Sequence, residues 1–399
     1  MRKICFITGT RAEYGIMSQL IRLVHDSNDC QLQIIATNMH LSSEFGLTYR
    51  EIENDGFNID KKVEMLLSSD TANGIVKSMG LATIGFADAL NDLKPDLCVI
   101  LGDRYEMLAA AQSALIYKIP IAHLYGGEIT EGAYDDSIRH AITKLSHLHF
   151  TSTEEYKKRV IQLGEDSKKI FCVGALGIDN IDKEDIMSID ELSRSIDFNL
   201  TDRFVVVTFH PVTIEHHTAQ QQCENLLSAL EYIIPQYKIL FTLPNSDTDG
   251  RIIISLIKRF VTKHRNDCLA ITSLGKKRYY AALKYSSAVI GNSSSGLVEA
   301  PSFHIPTLNI GDRQKGRTRC ESVIDCAANK DDILEGLHKV LSDKTKSISE
   351  NVINPYYQKD TLNKIFEVIS TYPLNNLIKK HFYDINNYEA IDNNSCTWR

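Results

Sequence analysis

Between residues 101 and 140 the sequence reads LGDRYEMLAAAQSALIYKIPIAHLYGGEITEGAYDDSIRH and concentrates side chains able to move protons. Asp103 follows one apolar, strand-like run (95–101), and Glu128, Asp135 and Asp136 follow a second (119–124). Carboxylates crowded at neighbouring strand ends raise one another's pKa, which turns one of them into a proton carrier. Taken singly, each acid also has a structural role open to it. Asp103 would cap the next helix, and Asp135 lies four residues before Arg139, so Asp135 or Asp136 would serve as a cap or a surface ion pair.

Three further loops carry anion-binding chemistry. GTRAEYG (9–15) stands where a dinucleotide-binding fold has its glycine fingerprint, but the spacing is wrong, so no NAD site follows. Arg11 there either points into a cleft toward a phosphate or is a surface residue. GNSSSGLVEA (291–300) follows the strand-like SAVI and opens a helix, so Ser293, Ser294 and Ser295 would offer hydroxyls and backbone N–H groups to a diphosphate, with Glu299 on the following turn placed to accept from ribose hydroxyls. GDRQKGRTR (311–319) supplies Arg313 and Arg317, or else is a solvated basic loop. His210 directly follows the strand-like FVVVTF and would face the acids across a cleft, whereas His216 and His217 read as solvated. No HExxH or facial-triad spacing is present, so no metal site is expected.

The elements that must position these loops are legible from periodicity. KICFIT, LQIIAT, PDLCVIL, IPIAHL, HLHFTS and KIFCVG are strand-like runs separated by segments long enough for helical crossovers. The alternation fades over 179–203 and resumes with RFVVVTFH, KILFTLP, DCLAIT, SAVIG and IPTLNIG. The expected fold is α/β, with two doubly wound, Rossmann-like domains, 1–178 and 204–372, a connection at 179–203 with a short helix, and a tail at 373–399. In such sheets ligands bind beyond the carboxyl ends of the strands, so both domains would face one shared cleft. Residues 331–342 and 355–371 read as helices that brace the domains, and the end from about 384 reads as frayed.

Composition narrows the classes. At 399 residues the chain exceeds one ordinary core. Its 43% apolar and 24% charged content and mean hydropathy of -0.18 describe a soluble globular protein. A net charge of -7 argues against a nucleic-acid partner, and no apolar run reaches the ~18 residues of a membrane helix. The nine cysteines fall singly without a close CxxC pair, which reads as reduced thiols in a cytoplasmic protein.

Together, GTRAEYG, LGDRYE, the GGE to DDSIRHAITKLSH run, FHPVT, GNSSSGLVE and NIGDRQKGR resemble the hydrolysing UDP-N-acetylglucosamine 2-epimerases, the bacterial stand-alone enzymes of sialic and nonulosonic acid biosynthesis. The resemblance implies a GT-B type fold with the active site between the domains. It further implies a hydrolase acting on an O-glycosyl bond, converting UDP-GlcNAc and water to N-acetylmannosamine and UDP without nicotinamide or metal. It places the acid and base residues on Asp103, Glu128, Asp135 and His210, and the nucleotide contacts on Arg11, Ser293, Ser294, Glu299 and Arg313. Arg139, Ser295 and Arg317 join the expected substrate contacts by their places in these motifs. One departure stands out: several relatives have a glutamate where this chain has Tyr125, and Glu128 would be its stand-in.

Four alternatives are weighed at this point: another substrate, a non-hydrolysing epimerase, a glycosyltransferase of the same fold, which would need an acceptor, and a silent binding protein. The same reaction on UDP-2,4-diacetamido-2,4,6-trideoxyglucose, for legionaminic acid, differs only in the substrate. Ala12, where non-hydrolysing epimerases carry proline, argues against that reaction. A catalytically silent nucleotide-sugar-binding protein is the alternative of another class. The expected partners are a UDP-sugar and further copies of the chain, as a homodimer or homotetramer, with no nucleic acid and no membrane.

Overall fold

The computed structural model describes residues 1–385 except 68, 70, 180, 182–185, 202, 216–217 and 245–248. His216, His217 and the end of the tail with Cys396 lie outside the described residues.

The strands are built from β-branched and other apolar residues that bury on both faces. In β1 (Arg2–Thr8), Ile4 and Phe6 enter one core while Cys5 and Ile7 enter the core on the opposite face. That two-sided burial is what an internal strand of a parallel sheet requires. The sheet continues through β2 (Cys30–Thr37), β3 (Lys61–Val63), β4 (Leu97–Leu101), β5 (Ile121–Leu124), β6 (Leu148–Thr151) and β7 (Ile170–Cys172), ordered β3-β2-β1-β4-β5-β6-β7. The second sheet comprises β8 (Phe204–Thr208), β9 (Lys238–Thr242), β10 (Cys268–Ile271), β11 (Val289–Gly291), β12 (Thr307–Ile310) and β13 (Val323–Cys326), ordered β10-β9-β8-β11-β12-β13. Every strand pairing described in both sheets is parallel.

Each sheet reverses its winding once, where β1 lies beside β4 and where β8 lies beside β11. Such a reversal opens a crevice at the carboxyl ends of the two strands, because their following crossovers leave toward opposite faces. The loops after β1, β4, β8 and β11 begin at Gly9, Gly102, Phe209 and Asn292, so they are the motif loops themselves. The short edge strands β3 and β13 were not foreseen, since KKV and VIDC lack an apolar run.

Two boundaries differ from expectation. The connection carries the helix Ile189–Ser195, and its Leu192 and Leu200 pack with Phe204 and Val206, so its second half belongs to the second domain. The expected second domain, 204–372, ends earlier. Helix Thr361–Thr371 returns to the first sheet, where Leu362, Ile365 and Ile369 share a core with Met17, Leu20 and Val24 of helix Arg11–Asp26. Its apolar positions recur on one face, and that groove covers them. Asp179 Oδ2 accepts from Leu362 N at 3.0 Å, and Arg2 donates to the carbonyls of Ile369 and Tyr372 at 2.8 and 2.7 Å. The start of the tail is fastened too: Leu377 enters the same core, and Lys380 Nζ lies 2.7 Å from Glu165 Oε2. Among the described residues no helix is long and apolar enough to cross a membrane.

Ile369 is fully buried. Replacing it by Ala is therefore expected to lower the unfolding free energy by ~2–5 kcal/mol, read as a shift of the urea midpoint. An unchanged midpoint would place this helix outside the first domain's core.

Candidate active site

The two sets of strand ends face one cleft with a cavity of about 360 Å³, within the ~300–1,000 Å³ usual for ligand pockets. Its wall includes Arg11, Asp103, Asp135, His210, Ser293, Ser294, Ser295, Glu299, Arg313 and Arg317, brought together from both domains. Glu128 and Arg139, expected to touch substrate, stand behind that wall.

The first loop begins with a capping box. Thr10 Oγ1 accepts from Glu13 N at 3.3 Å, and Glu13 Oε2 accepts from the backbone N–H groups of Gly9 and Thr10 at 2.8 and 3.2 Å. A helix N-terminus offers these donors to an anion. Here the Gly9 and Thr10 donors are taken by the chain's own Glu13. Arg11 spans the cleft: Nε donates to Glu51 Oε2 of the first domain at 2.6 Å, and Nη1 to the Ser273 carbonyl of the second at 3.0 Å. The Arg11 guanidinium lies so close to Gly275, where φ is +70°, that a side chain there would strike it.

Glu13 went unnoticed as a site residue, although T-x-x-E at 10–13 is a capping signature legible in sequence. It lines the cleft, and burial followed by the repulsion of Glu106 pushes its pKa up to about 8, against the pull of Arg104 and the two backbone N–H groups. Arg104 Nε sits 2.8 Å from Glu106 and 3.9 Å from Glu13.

The acidic loops are folded around Arg139, which is 1% exposed. Its guanidinium donates to Asp103 Oδ2, to the Glu128 carbonyl at 2.9 Å, to Thr130 Oγ1 at 3.2 Å and to Asp136 Oδ1 at 3.4 Å. A buried guanidinium must be paired, and the four hydrogen bonds of this one all stay inside the first domain. It orients Asp103 and is not left to meet a ligand. Asp136 Oδ1 also accepts from Thr130 N at 2.6 Å, and Oδ2 lies 3.5 Å from His140 Nε2. Burial opposes its charge, yet His140, the Thr130 N–H and Arg139 outweigh it and hold Asp136 below the usual range. Asp136 therefore ties the loop together, while Asp135 faces the cleft.

Glu128 is buried, with Oε1 accepting from Ser152 Oγ at 2.7 Å and Oε2 lying 2.8 Å from Arg317 Nη2. Tyr125 adopts φ +67° and its hydroxyl accepts from Gly177 N at 3.1 Å. Neither side chain lies on the cleft wall.

On the opposite side, Asn292 is the organiser. Its side chain accepts from His210 N at 2.7 Å and donates to the His210 carbonyl at 2.8 Å, locking the loop after β8 to the loop after β11. Its own carbonyl accepts from Arg313 Nη1 at 3.2 Å and Gln314 Nε2 at 2.9 Å. The helix that the serine loop opens is one turn, Ser295–Val298, and Ser295 Oγ accepts from Tyr279 OH at 2.6 Å. Burial raises the Glu299 pKa against the hydrogen bond from Ser295. The Nε groups of Arg313 and Arg317 are buried without hydrogen-bond partners among the described residues. Also on the wall, and not anticipated, are Lys276, Tyr279 and Tyr280 from helix Gly275–Tyr285 and an apolar patch of Ile16, Met39 and Phe45.

The raised pKa of Glu13 has a definite sign for stability. The folded chain keeps a proton that the unfolded chain releases near 4.5, so this group's contribution is full below that pH and is lost as pH rises toward about 8. Glu13→Gln keeps a capping oxygen and removes the titration. Its melting temperature is expected to gain on the parent's between about pH 5 and about pH 8, and parallel curves would show that Glu13 is ionised throughout.

Comparison with known proteins agrees with this architecture. Residues 22–370 match the UDP-N-acetylglucosamine 2-epimerase family. A GDP/UDP-N,N'-diacetylbacillosamine 2-epimerase (hydrolyzing) of Campylobacter jejuni is 41% identical, covering 96% of this chain and 99% of its own. The polysialic acid biosynthesis protein P7 of Escherichia coli is 39% identical over 96% and 98%, and the UDP-N,N'-diacetylbacillosamine 2-epimerase (hydrolyzing) of Legionella pneumophila 35% over 95% and 98%. In fold, the Neisseria meningitidis UDP-GlcNAc 2-epimerase bound to UDP-GlcNAc superposes with a TM-score of 0.76 at 18% identity, over 92% of this chain and 99% of that one. This chain belongs to the UDP-N-acetylglucosamine 2-epimerase family and has its GT-B type fold.

Proposed function

We propose that the protein hydrolyses a UDP-2,4-diacetamido-2,4,6-trideoxy sugar with inversion at C2, releasing UDP and the free 2-epimer. The observation that carries this reading is the opposition, across one cleft, of two carboxylates, Asp103 and Asp135, to His210, the serine loop and two guanidinium groups. The substrate choice is supported by the relatives named for diacetylbacillosamine, at 41% and 35% identity. It is supported as well by Ile16, Met39 and Phe45 on the wall, which suit the methyl groups of a second acetamide and of a deoxygenated C6.

The sugar's C2 hydrogen is too weakly acidic to leave first, so the bond from C1 to the diphosphate oxygen must break ahead of it. In this reading Arg313, Arg317 and the serine hydroxyls take the charge of the departing UDP, with His210 beside them. Asp103 or Asp135 accepts the C2 proton, and the freed electron pair closes the C1–C2 double bond of a glycal. A proton then adds to C2 from the opposite face while water oxygen bonds to C1 and gives its proton to a carboxylate. Arg139 holds Asp103 in place for this work.

A second reading is the same reaction on UDP-GlcNAc, giving N-acetylmannosamine. It is favoured by the polysialic acid relative at 39% identity and by the UDP-N-acetylglucosamine 2-epimerase of Neisseria meningitidis at 29%. Incubation with each sugar nucleotide, with products followed by NMR, decides between them. The diacetamido substrate is expected to win by about tenfold or more in kcat/KM, and the reverse preference would hand the function to the second reading. UDP release from either in buffer alone separates both from a glycosyltransferase and from a silent binding protein.

In D2O the product should carry deuterium at C2, and an unlabelled product would exclude the glycal. Asp103→Asn and Asp135→Asn are expected to lower kcat by ~10²–10⁴-fold with UDP affinity nearly unchanged. Arg313→Ala should instead weaken UDP by about tenfold or more.

A further inference from the structure

The acidic loop after β5 and the basic loop after β12 meet across the domain boundary. Glu131 N donates to the Lys315 carbonyl at 3.1 Å. The backbones approach so closely that a Cβ on Gly132 would stand 2.5 Å from the Asp312 carbonyl oxygen. At the centre of this contact is the pair Glu128 and Arg317, 2.8 Å apart, with side chains 4% and 8% exposed.

The two members differ in what they have left to offer. Both carboxylate oxygens of Glu128 are engaged, one by Ser152 and one by Arg317, and its carbonyl accepts from Arg139. Arg317 lines the cleft and keeps a buried Nε without a partner. Burial would discharge the guanidinium, but the adjacent Glu128 outweighs it and keeps Arg317 firmly charged. One end of this arginine is anchored in the first domain while the rest borders the ligand space of the second.

We propose that Glu128 is a positioning residue: from the first domain it holds Arg317 in place to bind the diphosphate, so that the anion site of the second domain is complete only when the acidic loop is docked. The carboxylate thus acts through Arg317 and transfers no proton itself. This rests on the proposed function only in taking a nucleoside diphosphate as the ligand. It also gives the GGE glutamate a role that does not depend on replacing a glutamate at Tyr125.

The test is a double-mutant cycle on the full chain, with UDP affinity read by calorimetry and kcat and KM read with whichever sugar nucleotide the parent turns over. Glu128→Gln and Arg317→Gln are each expected to raise the UDP Kd by about tenfold or more. The double variant should be no worse than Arg317→Gln alone, because residues acting as a unit are non-additive. Glu128→Asp should recover part of the affinity, and the pH profile of kcat should keep its shape in every variant. Glu128→Gln strands a buried cation, so it is the variant most at risk of misfolding, whereas the double variant removes both charges. The comparison of Arg317→Gln with the double variant is then sufficient on its own. If Glu128 acts only through Arg317, its replacement in that background changes neither Kd nor kcat. Multiplying Kd effects, or a kcat loss of ~10²-fold or more in that background with one limb of the pH profile gone, would overturn the proposal and make Glu128 a proton carrier. The UDP measurements need no sugar turnover, so failure of the substrate reading would leave this result standing.

Discussion

A guanidinium taken out of water has to be surrounded by acceptors, and the acidic half of the cleft is built on that requirement at Arg139. The side chain is fully enclosed, and it gathers Asp103 from the loop after β4, Thr130 and the Glu128 carbonyl from the loop after β5, and Asp136 from its own helix. Losing the carboxylates of Asp103 and Asp136 would leave a buried charge uncompensated, at a cost of several kcal/mol. The loops consequently have little freedom, and the carboxylates that reach the cleft, Asp103 and Asp135, do so from a backbone already fixed. Reaction geometry depends on this kind of rigidity behind the reacting groups.

The second domain solves the same problem without charge. Asn292 uses its amide to clamp His210 on both backbone groups and its carbonyl to receive Arg313 and Gln314. An amide organises neighbouring loops without adding a negative charge beside the serines and arginines. The division of labour follows: a buried guanidinium orients the carboxylates on one side of the cleft, and a neutral clamp serves the side with serines and arginines. Two of the contacts that cross between the halves are cationic, from Arg11 to Ser273 and from Arg317 to Glu128, and they stand beside neutral ones such as Tyr134 N to Thr213 Oγ1 and Glu131 N to the Lys315 carbonyl.

Much of this was legible before any coordinates. Apolar runs with two-sided character announced parallel strands, and the motif loops at their carboxyl ends announced the cleft. Other features were hidden because they depend on burial and distance. Arg139 looked like a helix-face partner of Asp135 until its enclosure made it the centre of the loop network. Glu128 followed two glycines like a cleft acid, yet it faces Arg317, nearly two hundred residues away in sequence. Glu13 carried a visible capping signal whose second meaning, a carboxyl buried beside Glu106, depends on Arg104 and Glu106 folding over the first loop. Helix Thr361–Thr371 showed its apolar face in sequence but not which sheet would receive it.

By itself the sequence determined the local terms: which segments extend, which turn, where acids, serines and arginines sit relative to strand ends, and the family resemblance carried by their order. These are short-range properties, set by backbone preference and by the period of apolar residues. Only the tertiary structure decided which of the candidate side chains face the cleft and which are consumed in holding it. That choice turns on desolvation and on pairing across long sequence separations. The energy of a buried carboxylate or guanidinium is set by the neighbours that folding brings to it, and nothing in its immediate sequence specifies them.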